Sequence, residues 1–81
     1  MPNVLRVGDA DNEGNVILPN ANTVFANNLQ VACVTDPVEN GGVQIITGSQ
    51  SVFANGKPIG RVGDSDEEAV FVVGSPNVIA A

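Results

Sequence analysis

The sequence predicts an all-β fold, a small conical domain of three strand-and-turn units related by a pseudo-three-fold axis. Helix signals are nearly absent: nine Gly, five Pro and many Asn interrupt every window of helical length, and such residues are poor in helix interiors. Val and Ile fill most apolar positions and stand between clusters of Gly, Asn, Pro and Asp, the pattern of short strands bounded by turns. Two short signals also repeat. One is Thr23-Val24-Phe25-Ala26, Ser51-Val52-Phe53-Ala54 and Asn77-Val78-Ile79-Ala80; the other is Val7-Gly8-Asp9, Val34-Thr35-Asp36 and Val62-Gly63-Asp64. Both recur at about 27 residues, and two independent signals with one period mean three copies of one unit. The units are read as approximately 4–33, 34–61 and 62–81, within a single domain spanning 1–81.

Taken in order, residues 4–7 form a strand that Gly8-Asp9 ends. An acidic loop follows to Asn15, then a strand over 15–18 stopped by Pro19-Asn20, then a strand over 23–26. Asn27-Asn28 tolerates the left-handed backbone that a tight hairpin needs. The second unit reads as a strand over 29–34, a loop over 35–42, strands over 43–46 and 51–54, and the hairpin turn Asn55-Gly56. Asn-Gly between two apolar runs is the strongest short hairpin signal in the chain. A strand over 59–62 leads to a loop over 63–68 and then to Ala69-Val70-Phe71-Val72-Val73. This longest apolar run is expected to be the most buried strand. Gly74-Ser75-Pro76 turns the chain into the last strand. Three such units do not bury a face singly, and closure into a ring leaves no surplus edge, so closure is expected.

Composition narrows the function. A chain of 81 residues has a marginal core of its own. One Cys forbids an internal disulfide, and the commonest metal ligand, His, is missing, so association is the expected source of extra stability. Net charge is −6, with only Arg6, Lys57 and Arg61 basic. Nucleic-acid binding, which needs clustered Lys and Arg, is therefore not expected; nor is rest on an anionic membrane. The N-terminus carries no apolar leader segment, and no apolar run is long enough for a transmembrane helix. Catalysis needs a base, a nucleophile and an orienting group. With no His, no Tyr and one apolar-flanked Cys, no catalytic residue and no small-molecule substrate are assigned. Cys33 reads as a small buried hydrophobe.

The segments Asn55-Gly-Lys-Pro-Ile-Gly-Arg-Val-Gly-Asp64 and Val73-Gly-Ser-Pro-Asn-Val-Ile-Ala80 resemble the PAAR-repeat family, and residues 14–18 and 48–56 fit the same frame. The resemblance covers essentially residues 4–81. It implies a small all-β cone whose broad base sits on the blunt end of a trimeric β-helical spike, in contractile phage tails and type VI secretion machines, where it sharpens the spike for piercing a bacterial outer membrane. It also implies one chain per spike trimer, transient contact with the target membrane, assembly in the bacterial cytoplasm and a final place at the tip of the virion. A bare domain is more like the phage form.

The family holds one metal near the apex, through His residues and a Cys on the loops after Gly-Asp. Here there is no His, and Cys33 precedes Val34-Thr35-Asp36 instead of following it. No metal ligand is carried over and no cofactor is assigned. An oxygen-ligand cation is the alternative, since Asp9, Asp11, Glu13, Asp36, Glu39, Asp64, Asp66, Glu67 and Glu68 lie on the three loops. The simpler expectation is that these are solvated turn residues, with the Asp after each Gly capping its own turn. Docking is assigned to one apolar patch per unit: Val24 and Phe25, Val52 and Phe53, Val78 and Ile79. Strand alternation is expected to send one of each pair inward and the other outward. The alternative function is a small non-enzymatic adaptor that caps another trimeric β protein or carries cargo.

Overall fold

The computed structural model describes residues 2–20, 22–39 and 43–81. The second acidic loop continues through Asn40, Gly41 and Gly42, which lie outside the described residues. No helix occurs among the described residues.

Among the described residues, regular strand is confined to two hairpins. β1 (Phe25–Ala26) pairs antiparallel with β2 (Leu29–Gln30), and β3 (Phe53–Ala54) with β4 (Lys57–Pro58). Their turns carry two positive φ angles each, 54° and 66° at Asn27 and Asn28, 52° and 79° at Asn55 and Gly56. These are the mirror-image turns whose twist matches that of paired strands, so the Asn-Asn and Asn-Gly signals fold as expected.

The third hairpin is assembled from the two ends of the chain. Asn3 bridges Ile79, and the Ala80 amide donates to the Pro2 carbonyl at 3.1 Å. The Val4 amide donates to Val78 O at 2.8 Å, as Val31 does to Val24 O at 2.9 Å and Ile59 to Val52 O at 3.0 Å. Three equivalent strand pairs thus surround one axis.

On that axis three backbone hydrogen bonds close a cycle. Leu5 N donates to Gly60 O at 3.0 Å, Gly60 N to Ala32 O at 2.7 Å, and Ala32 N to Leu5 O at 2.9 Å. The strands come this close because Gly60 has no side chain. A Cβ there would stand 3.0 Å from Leu5 Cδ1 and 3.2 Å from Ala32 O.

Beyond the axis the turns at Gly8-Asp9, Thr35-Asp36 and Gly63-Asp64 each open a second hairpin, and these three pair edge to edge. Ile17 bridges Val38, Ile45 bridges Asp66, and Phe71 bridges Asp11. The same relation is drawn by Leu18 N to Pro37 O, Ile46 N to Ser65 O and Val72 N to Ala10 O. Hairpin one meets two, two meets three, and three returns to one, so the ring is closed.

The core lies in two layers. Val4, Val31 and Ile59, with Ala26, Ala54, Ala80 and Cys33, fill the layer beside the strand hairpins. Leu5, Ala32, Ile17, Ile45 and Phe71, with Val38 and Val43, fill the layer beside the acidic hairpins.

Two expectations are corrected. Most of the nine strands read from the sequence are single bridges, because each segment changes partner after one or two residues as it winds round the axis. The run 69–73 is not uniformly buried. Ala69 and Phe71 are inside, while Val70, Val72 and Val73 are exposed. A strand in so narrow a molecule, 26 × 23 × 23 Å, has only one inner face.

Candidate functional site

The two ends differ in chemistry. At the strand-hairpin end, Phe25, Phe53 and Ile79 occupy equivalent positions and are 59%, 56% and 52% exposed. Their equivalence follows from their partners: Phe25 pairs with Gln30, Phe53 with Pro58, and Ile79 with Asn3. Val24 and Val78 are also exposed, and Val52 is half-buried against the core. The expected division of each pair, one in and one out, is therefore displaced by a residue. The inward positions belong to Ala26, Ala54 and Ala80, all buried. Val24, Val52 and Val78 share the Ala face by alternation, but they stand at its rim, where the core ends. Large apolar side chains are thus left outside at three equivalent places.

Ser49 and Ser75 prepare this end. The Ser49 hydroxyl accepts from the Ser51 and Val52 amides, and the Ser75 hydroxyl from the Asn77 and Val78 amides. Each folds the chain into its hairpin. In the first unit Asn22 takes this part, its Oδ1 accepting from Val24 N at 3.2 Å.

At the other end the aspartates are buried, not solvated as expected. Asp9, Asp36 and Asp64 each turn back to accept from the amide three residues earlier: Arg6 N at 2.8 Å, Cys33 N at 2.7 Å and Arg61 N at 2.9 Å. The expectation that each caps its own turn holds. Arg6 and Arg61 add ion pairs to Asp9 at 3.0 Å and Asp64 at 2.9 Å. Hydrogen bonding to Asp9 and Asp64 raises the affinity of both guanidinium groups for their protons. Glu13, Glu39, Glu67 and Glu68 are exposed.

Two residues beyond these turns stand Asp11, Val38 and Asp66 in equivalent places. Asp11 and Asp66 are each 3% exposed and shift one another's pKa. Asp11 Oδ1 accepts from the Glu13 and Asn15 amides, and Asp66 Oδ1 from Glu68 and Ala69. Asp66 Oδ2 is buried with no donor of the protein aimed at it. Burial, then its interaction with Asp11, pushes the Asp66 pKa up. Burial would also raise Asp11, but hydrogen bonds from Asp66, Asn15 and Glu13 outweigh it and hold its pKa low. Sequence reasoning placed both residues on the loops without pairing them. The available signal was Asp-x-Asp, present at 9–11 and 64–66 and broken at Asp36-x-Val38.

These residues do not fit the His- and Cys-ligated metal that the resemblance implies. The ring position is Asp, Val, Asp; one oxygen of each Asp is committed to its own loop; and Cys33 is buried in the other core layer. Cys33 packs as the small hydrophobe expected, and burial pushes its thiol pKa up. Among the described residues no helix is long and apolar enough to cross a membrane.

A family model, the PAAR motif, matches residues 7–67. No curated protein matches the sequence. The match takes in both strand hairpins and the turns at Gly8-Asp9, Thr35-Asp36 and Gly63-Asp64, and the chain therefore belongs to the PAAR-motif family of spike-tip proteins.

Proposed function

We propose that this chain caps and sharpens the trimeric β-helical central spike of a contractile phage tail, or of a related type VI secretion-like machine, and so helps it pierce a bacterial outer membrane. The observation that carries the reading is the triangle of exposed Phe25, Phe53 and Ile79, one per unit, with Val24, Val52 and Val78 beside it. A single chain with three equivalent apolar contacts matches a three-fold platform; a chain with one patch would not. Burying half-exposed side chains of this size contributes about 1 kcal/mol each. The domain 1–81 acts as one non-enzymatic structural unit at the tip of the virion. The reading needs no cofactor: the three acidic hairpins hold one another by backbone pairing. Piercing is mechanical, since a chain of net charge −6 gains nothing from an anionic leaflet.

The test is to mix the protein with the C-terminal β-helix of its spike trimer and weigh the complex. One chain per trimer is expected. Three per trimer, or no complex, overturns the proposal. Replacing Phe25 and Phe53 by Ala should weaken the complex by about 1–2 kcal/mol each while leaving the free protein folded. Calorimetric titration reads the first effect and circular dichroism the second.

A further inference from the structure

The three-fold symmetry breaks at one buried position. Arg6, Cys33 and Arg61 are equivalent, each donating its amide to the aspartate three residues on. In two units the arginine grips that aspartate with both arms. Arg6 Nε and Nη2 each reach Asp9 at 3.0 Å, and Arg61 Nε and Nη2 reach Asp64 at 2.9 and 3.3 Å. Nη2 goes on to a backbone carbonyl, Gly74 O at 3.2 Å or Gly48 O at 3.3 Å.

In the remaining unit Cys33 ends one bond past Cβ and fills none of that space. Beside it lies a cleft of about 160 Å3 lined by Asn22, Asp36, Ala54, Asn55 and Lys57. A water molecule's share of the liquid is ~30 Å3, so there is room for a planar cation. Asp36 is 5% exposed and has kept its carboxylate. Asn20 Nδ2 at 3.2 Å and the Lys57 ammonium at 3.6 Å stand in for the missing guanidinium. Lys57 is a poor substitute: half-exposed, single-pronged and at long range. A guanidinium presents two parallel donors that match a carboxylate edge, which an ammonium does not.

We propose that this cleft binds a guanidinium group, which sits against Asp36 as Arg6 and Arg61 sit against Asp9 and Asp64. The molecule itself twice displays the complex, with its own side chains as the ligand. The cleft is lined in part by the β3–β4 hairpin but by none of Phe25, Phe53 and Ile79. A free guanidinium compound and an arginine side chain of a partner protein offer the same head group, and they differ in the methylene stem that would lie along Ala54.

The test is an NMR titration of the whole protein with methylguanidinium, N-acetyl-arginine amide and butylammonium. Saturable amide shifts confined to residues around 22, 36, 55 and 57 are expected with both guanidinium probes. Butylammonium should bind several-fold more weakly. Tighter binding of the arginine derivative supports a partner side chain, and equal binding a free compound. Lys57→Ala, which removes the charged one of the two internal donors to Asp36, should strengthen binding several-fold. Cys33→Arg, which refills the slot, should abolish it. Asp36→Asn keeps an acceptor for the Cys33 amide but removes the charge, and should also abolish it; this variant decides alone if Cys33→Arg does not fold. Absence of saturable shifts, equal binding of the ammonium probe, or undiminished binding in Asp36→Asn overturns the proposal.

Discussion

Thr35 shows what a repeat costs when one copy drifts. Gly8 and Gly63 take φ of 90° and 96° in their turns, and Thr35 is held at 78° in the same place. A β-branched residue there is strained, by about 1–3 kcal/mol. Thr35→Gly should therefore raise stability by about 1 kcal/mol, after the extra backbone entropy of glycine is subtracted; urea unfolding at constant m-value checks it, and a loss of stability would refute the strain. The Asp11–Asp66 pair sets a pH dependence. The raised pKa of Asp66 gives stability that is present below the ordinary aspartate value of about 3.9 and is lost as pH rises through its folded value. The lowered pKa of Asp11 works oppositely, and its contribution is lost only as pH falls through its folded value. Asp66→Asn keeps the Oδ1 acceptor for Glu68 and Ala69, and its amide can donate to Asp11 at any pH. The variant should melt higher than the parent near neutrality, with the gap closing towards pH 4. A gap independent of pH would mean that the two carboxyls do not shift one another's pKa.

Strand hairpins and their turns were legible because their chemistry is local. Asn27-Asn28 and Asn55-Gly56 must accept positive φ, few residues do so, and the angles follow. Strand lengths were not legible, because an apolar β-branched run looks the same whether it pairs over five residues or one. The run 69–73 shows this: its residues read as one buried strand, yet exposure alternates along it. Close approach is equally hidden. Gly48 and Gly74 precede Ser49 and Ser75 and look like ordinary turn glycines. A Cβ on Gly74 would stand 2.7 Å from Val62 Cγ2 and 2.9 Å from Val4 O, and one on Gly48 2.9 Å from Ile59 O. Gly74→Ala should cost about 1–3 kcal/mol, since a backbone carbonyl in the central strands has to move. Thermal unfolding measures this, at about 4–8 °C per kcal/mol in a domain of this size. An unchanged melting point would show that the layer yields more easily than its packing implies.

For the whole molecule, closure explains why so little regular strand suffices. Each edge of one hairpin is covered by the next, so no ladder has to be long. Residues 2–4 and 78–80 complete the third hairpin across the chain ends. Joining these ends through an Asn-Gly turn and opening the chain between Asn55 and Gly56 should give a permuted protein with the same fold, shown by matching amide shifts in the two cores; an unfolded permutant would mean that the intact β3–β4 turn is indispensable. Docking should act on the same scale. A partner that binds only the folded tip raises its melting temperature in proportion to occupancy, so the tip on its spike should melt above the free protein.

The sequence by itself determined the class, the three-fold repetition, both hairpin turns and the Gly-Asp turns, because period and turn chemistry are properties of neighbouring residues. Only the tertiary structure decided that Asp11 and Asp66 are buried together, that Phe25, Phe53 and Ile79 face outward together, and that a cleft lies beside Asp36 in the unit that carries Cys33. Each of these joins residues from different units. Winding three copies round one axis brings positions about 27 residues apart into register, and no local pattern states what a side chain will meet there.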